Sequence, residues 1–114
     1  MLITSLQTRR WIVPKGHLEP GMTAQDSAAK EAYEEAGLEG IVGDTPIGVY
    51  DYIKLDQGDQ RIRRVDVFPM AVSRVLDKWP EQEKRQRKWM GLPDAVGAVF
   101  EVDLKKIIAD FSPS

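Results

Sequence analysis

Residues 16–38, GHLEPGMTAQDSAAKEAYEEAGL, decide the fold. Thr23 is a good helix N-cap with Asp26 three residues on, a variant of the capping box. The thirteen residues from Ala24 to Ala36 contain neither Gly nor Pro, and Gly37 stands where a left-handed C-terminal residue is expected. A helix over 24–36 follows. On it, Glu31, Glu34 and Glu35 fall at i, i+3 and i+4, so at about 100° per residue they project from one side within roughly one turn. Like charges so placed repel, and carboxylate clusters are what hard ions such as Mg2+ or Mn2+ neutralise. On an arbitrary helix a solvated acidic face is the commoner explanation. Here the glycine-bearing loop in front of the helix shifts the weight.

The rest of the chain is arranged around this helix. Residues 1–5 (MLITS) and 10–13 (RWIV) read as strands, the second stopped by Pro14. Two β-rich runs, 47–54 (IGVYDYIK) and 61–75 (RIRRVDVFPMAVSRV), are joined by Asp56, Gln57, Gly58 and Asp59, which is hairpin chemistry. A short strand over 88–92 and a short helix over 93–100 with Pro93 at its first position come next. Leu104, Ile107, Ile108 and Phe111 then fall at i, i+3, i+4 and i+7, the stripe of a helix that docks on the sheet. The expected class is α+β, one domain over residues 1–114, with no repeat or linker.

Composition narrows the chemistry. Sixteen Lys and Arg against eighteen Asp and Glu give a net charge of -2, which argues against nucleic acid as a partner through bulk charge. With no cysteine there is no thiolate nucleophile, disulfide or Cys-based metal site, and a reducing, cytoplasmic setting fits. The single histidine, His17, excludes a multi-His centre and reads as a loop surface residue. No apolar run approaches the ~20 residues that span a bilayer, so no membrane partner is expected. Charge is also uneven: residues 1–18 hold Arg9, Arg10 and Lys15 and no acid, whereas residues 19–39 hold six acids and only Lys30. A basic approach leads to an acidic centre.

The segment from Gly16 to Leu38 resembles the Nudix box, G-x5-E-x7-R-E-U-x-E-E-x-G-U with U aliphatic, without a gap. Gly16 takes the first position, Glu31 the acid after the Arg, Ala32 the small residue, Glu34 and Glu35 the paired acids, and Gly37 and Leu38 the close. Met22 stands where the first Glu is expected and Lys30 where Arg is. In the family pattern those two positions support each other by an ion pair, so Lys30 is the orienting residue here, without the guanidinium fork. The segments RRWIVPKG, EAYEEAGLEG, IGVYDYIK and WPEQEKRQRKW are similar to the diphosphoinositol polyphosphate phosphohydrolase branch and its bacterial relatives.

The resemblance implies a Nudix fold, an α/β/α sandwich around a mixed β-sheet. It implies Mg2+-dependent (or Mn2+-dependent) hydrolysis of a phosphoanhydride in a nucleoside diphosphate-linked or polyphosphorylated small molecule, such as diadenosine polyphosphate or diphosphoinositol phosphate. A nucleotide-sugar or RNA 5′-end pyrophosphohydrolase, and a non-catalytic nucleotide-binding module of the same fold, are the alternatives. Glu31, Glu34, Glu35 and the Gly16 carbonyl are the implied metal ligands. Glu34 and Glu31 are the catalytic candidates, Glu34 as ligand or general base, with a base outside the box at Glu81 or Glu83 left open. Among the cations, Arg10, Lys15 and Arg63 are the leading substrate-phosphate contacts, ahead of Arg9, Arg61, Arg64, Lys84, Arg85, Arg87 and Lys88. Trp11, Trp79 and Trp89 read as packing anchors, Tyr33 as buried on the far side of the helix, and Tyr50 and Tyr52 as sharing one strand face. Nudix domains usually carry a sheet strand ahead of the segment that here begins at Met1. The expectation is therefore a missing N-terminal strand and an unpaired sheet edge beside residues 2–5, and a second copy of the chain is one candidate to cover it.

Overall fold

The computed structural model describes residues 1–16 and 19–112; His17 lies outside them. Ten elements follow one another: β1 (Leu2–Thr4), β2 (Trp11–Ile12), α1 (Ala24–Ala36), β3 (Leu38–Val42), β4 (Gly48–Asp56), β5 (Asp59–Val67), β6 (Met70–Val75), β7 (Arg87–Lys88), α2 (Leu92–Ala98) and α3 (Val102–Asp110). The class is α+β. The strands form three antiparallel groups, β2-β1-β7, β3-β6 and β4-β5, and a parallel bridge ties Trp11 to Val99.

The layering follows from the two-residue period of a strand. Leu2 joins Tyr50, Ala95, Val99 and Leu104 on the side carrying α2 and α3. Its neighbour Ile3 points the other way and packs with Ile12, Ala32, Ala36 and Leu38 on the side of α1. Trp11 and Ile12 divide in the same manner. One small sheet is thus sandwiched between helices. Leu104 of α3 is fully buried, and α3 lies so close to β4 that a Cβ on Gly48 would stand 2.6 Å from the Ile107 side chain.

Several expectations need correction. Residues 2–4 are not at an edge: Ile3 pairs with Ile12 on one flank and with Arg87 on the other. The run 61–75 is two strands, because Pro69 cannot donate to a ladder. β5 pairs along its whole length with β4, and β6 crosses to β3. β3 was not foreseen as a strand, since Gly40 and the exposed Glu39 break its alternation; the register slips between those two residues. The strand expected over 88–92 is confined to Arg87–Lys88. Tyr33 is 43% exposed and Trp89 54%, so neither is a core anchor.

Candidate active site

Both ends of α1 are fixed. The Thr23 hydroxyl accepts from the Asp26 amide at 3.0 Å. At the other end Gly37 adopts φ 66, which costs a glycine little, and its N–H reaches the Ala32 and Tyr33 carbonyls. The segment following β6 then straps this end. The Trp79 indole donates to the Glu35 carbonyl (3.1 Å), and the Glu81 amide donates to the Glu34 carbonyl (3.0 Å). Arg87, stacked 3.8 Å from the Trp79 ring centroid, donates to the carbonyls of Ala36 (2.8 Å) and Leu76 (2.6 Å). Carbonyls that a helix terminus leaves unpaired are thereby satisfied by two side chains and a backbone amide from far along the chain.

The partners around α1 then separate the three glutamates. Glu35 is buried, with the Lys15 amide donating to its Oε1 at 3.1 Å and an Arg85 nitrogen 3.8 Å from the same oxygen. Glu31, one turn earlier, hydrogen-bonds the Glu35 carboxyl. Burial first, and then that hydrogen bond, push the Glu35 carboxyl up to about 8, against the opposing pull of Arg85. Gly16 lies directly against Glu31: a Cβ on it would fall within 2.5–2.7 Å of both carboxylate oxygens. Glu34 is elsewhere. Its carboxylate lies 3.6 Å from Lys30, whose ammonium is bonded to Glu19 at 2.5 Å. Among the described residues no three His, Cys, Asp or Glu side chains converge as a metal-holding group. What is assembled is a carboxyl pair, Glu31 and Glu35, on the Gly16 backbone.

That pair suits a hard divalent cation. Burial first, and the neighbouring Glu31 second, disfavour an ionised Glu35 carboxyl, and a divalent ion beside it would offset both. The donors are oxygens, and a side chain at position 16 would fill the space.

The cations divide into two sets. The Lys15 ammonium lies 3.8 Å from the centroid of the Tyr52 ring and is half-buried; desolvation lowers its pKa, with Glu35 the chief influence against it. Arg63 is directly across the hairpin from Tyr52. Among the described residues its buried Nε has no hydrogen-bond partner, and neither does the Tyr50 hydroxyl on the same face. Lys15, Tyr52 and Arg63 therefore gather on the Glu35 side of the molecule, whereas Arg10 stands over the Phe100 ring at 4.1 Å. The second set is spoken for internally. Arg85 is 9% exposed and spans Glu81 (2.8 Å), Glu35 and the Thr4 carbonyl (3.1 Å), while Arg87 fastens α1. Arg9 donates to the Lys84 carbonyl and Arg64 pairs with Asp51. Sequence reasoning missed Arg85 as Glu35's neighbour and Glu19 as Lys30's partner. The i,i+4 spacing of Glu81 and Arg85 was the available signal for the first. An apolar cleft of about 310 Å³, lined by residues including Met1, Leu2, Ala32, Val65 and Met70, contains none of the three glutamates.

Known proteins resemble this chain along most of its length. The NUDIX domain model matches residues 4–111. The mouse diphosphoinositol polyphosphate phosphohydrolase 3-alpha is 36% identical over 89 residues, covering 76% of this chain and 51% of its own. Nudix hydrolase 18, mitochondrial, of Arabidopsis thaliana is 34% identical over 108 residues, 95% of this chain and 60% of its own. The chain spans about half to three-fifths of the length of these relatives. Among the described residues no helix is long and apolar enough to cross a membrane. With a family model covering nearly its whole length and the paired carboxyls in place on the box helix, the chain belongs to the Nudix family.

Proposed function

We propose that this chain is a single-domain, Mg2+-dependent pyrophosphohydrolase that cleaves a phosphoanhydride in a polyphosphorylated small molecule. The observation carrying the proposal is the Glu31–Glu35 carboxyl pair, seated on Gly16 and pinned by the Lys15 amide. Glu31, Glu35 and the Gly16 carbonyl would hold the ion, with Glu34 joining by a rotation of its side chain away from Lys30. When bound, the divalent ion (Mg2+ or Mn2+) neutralises phosphoanhydride charge and lowers the pKa of water.

The chain's own residues do the rest. Arg85 and the Lys15 amide fix the Glu35 carboxyl, so its orientation is set before a ligand arrives. Lys15 and Arg63 flank Tyr52 and hold the phosphoryl oxygens, Arg63 through its planar fork and Lys15 as a partly desolvated point charge. Arg10 contacts a more distal part of the substrate. Glu34, partly exposed and the more distant of the two glutamates on Lys30, would take a proton from water where it does not serve as a ligand. Glu81 is committed to Arg85, which leaves it the weaker choice of base.

By analogy with the relatives named for diphosphoinositol polyphosphates, the substrate we favour is a diphosphoinositol phosphate or a diadenosine polyphosphate. The absence of cysteine favours a reducing compartment such as the cytoplasm, although the similar Arabidopsis proteins are named mitochondrial. A binding module without turnover is the second reading, favoured by the separation of Glu34 from the other two glutamates. Incubation of the purified chain with a panel of diphosphate-containing substrates and Mg2+ decides between them. Release of phosphate or nucleotide supports hydrolysis; tight ligand binding with no release from any substrate refutes it.

A further inference from the structure

Glu19 opens the four-residue turn Glu19-Pro20-Gly21-Met22. The Met22 amide donates to the Glu19 carbonyl at 3.1 Å and Gly21 has φ 83, the geometry of a type II turn with Pro second and Gly third. This turn aims the Glu19 carboxylate at Lys30, eleven residues on and nearly two turns into α1, where it meets the ammonium at 2.5 Å. The same ammonium is 3.6 Å from Glu34. One cation is thus shared unequally between the segment that carries Gly16 and a glutamate of the site, and the segment has the closer hold. Position 22, where the family pattern has an acid, offers only Met22.

We propose that Glu19 is a positioning residue that takes over the anchoring of Lys30. It ties the turn to α1, so that Gly16 keeps its place against Glu31, and it draws Lys30 away from Glu34, leaving that carboxylate mobile. Glu19 contacts no reacting group and acts through Lys30. The proposal rests on the hydrolase reading for its kinetic consequences but not for its structural ones.

The test compares Glu19→Gln, Lys30→Gln and the double variant with the native chain. The readouts are hydrogen-exchange protection of the Met22 amide, the Mn2+ dissociation constant, and kcat and KM on the substrate identified by the panel. Glu19→Gln is expected to lower Met22 protection, Mn2+ affinity and kcat by about two- to five-fold each, the scale of a partly exposed ion pair, with KM changed less than about two-fold. The double variant is expected to match Lys30→Gln, because the two residues act as one unit, and Glu19→Asp is expected to recover part of the loss. Native protection and kcat in Glu19→Gln, or losses that multiply in the double variant, overturn the proposal. Should the native chain turn over nothing, the hydrolase reading falls, and Met22 protection in the same variants still decides: coupled losses uphold the anchoring, and no loss refutes it.

Discussion

Replacing Gly16 by Ala separates the chemistry of this site from the stability of the fold. The added Cβ would stand closest to the Glu31 carboxyl carbon and 2.5 and 2.7 Å from its two oxygens, where ordinary contact begins at 3.4 Å, so the carboxylate must retreat by about 1 Å. It is the far end of a flexible side chain and can do so. The stability cost is therefore small, below ~1 kcal/mol, and is offset by the ~0.4–1 kcal/mol that Gly→Ala contributes through the unfolded chain. The melting temperature should stay within about 5 °C of native. A catalytic group misplaced by about 1 Å, by contrast, costs on the order of 10²-fold in rate, or ~2.7 kcal/mol of transition-state stabilisation. The expected variant is a folded protein with kcat/KM down about a hundredfold and weakened Mn2+ binding, measured by steady-state kinetics and manganese titration. Gly97→Ala, on α2 with open space around its Cβ position, is the control and should be fully active. If Gly16→Ala keeps more than about a third of native kcat/KM and native Mn2+ affinity, the carboxyl pair on Gly16 is not the reacting centre.

Glu35→Gln keeps the shape of the carboxyl while removing its charge, so metal-dependent activity should vanish with the circular dichroism unchanged; a fully active variant removes Glu35 from the ligand set. Because burial raises the Glu35 carboxyl from 4.5 to about 8, the metal-free fold binds this proton more tightly than the unfolded chain does. The resulting stabilisation is complete below about pH 4.5 and is lost as pH rises to about 8. Melting temperatures without metal should fall across that window, and a slope as steep in Glu35→Gln as in the native chain would contradict this assignment. Arg85→Met strands the buried Glu35 and Thr4 carbonyl and the partly exposed Glu81, and should cost about 3 kcal/mol in urea denaturation, with an unshifted midpoint as the refuting result. Gly37→Ala forces a side chain into a left-handed residue (φ 66) against the Trp79 ring and Arg87 and should cost about 1–3 kcal/mol in the same assay, where native stability would refute the packing described.

The sequence by itself determined what is local. Thr23, Asp26 and Gly37 set both ends of α1 to the residue, because caps and left-handed positions depend on neighbours within four residues. The hairpin turn at Gln57-Gly58 and the docking stripe of α3 were legible for the same reason. The spacing of the glutamates placed all three on one side of the helix, but periodicity specifies a side and not a rotamer or a partner. Only the tertiary structure decided that Glu31 and Glu35 pair, since burial of Glu35 depends on Lys15 from the loop and Arg85 from fifty residues on. Likewise it is the turn before α1 that sets Lys30 between Glu19 and Glu34. The central place of β1 and the crossing of β6 to β3 were invisible for a related reason. Strand neighbours are chosen by which faces can be buried together, a property of the assembled layers that no window along the chain contains.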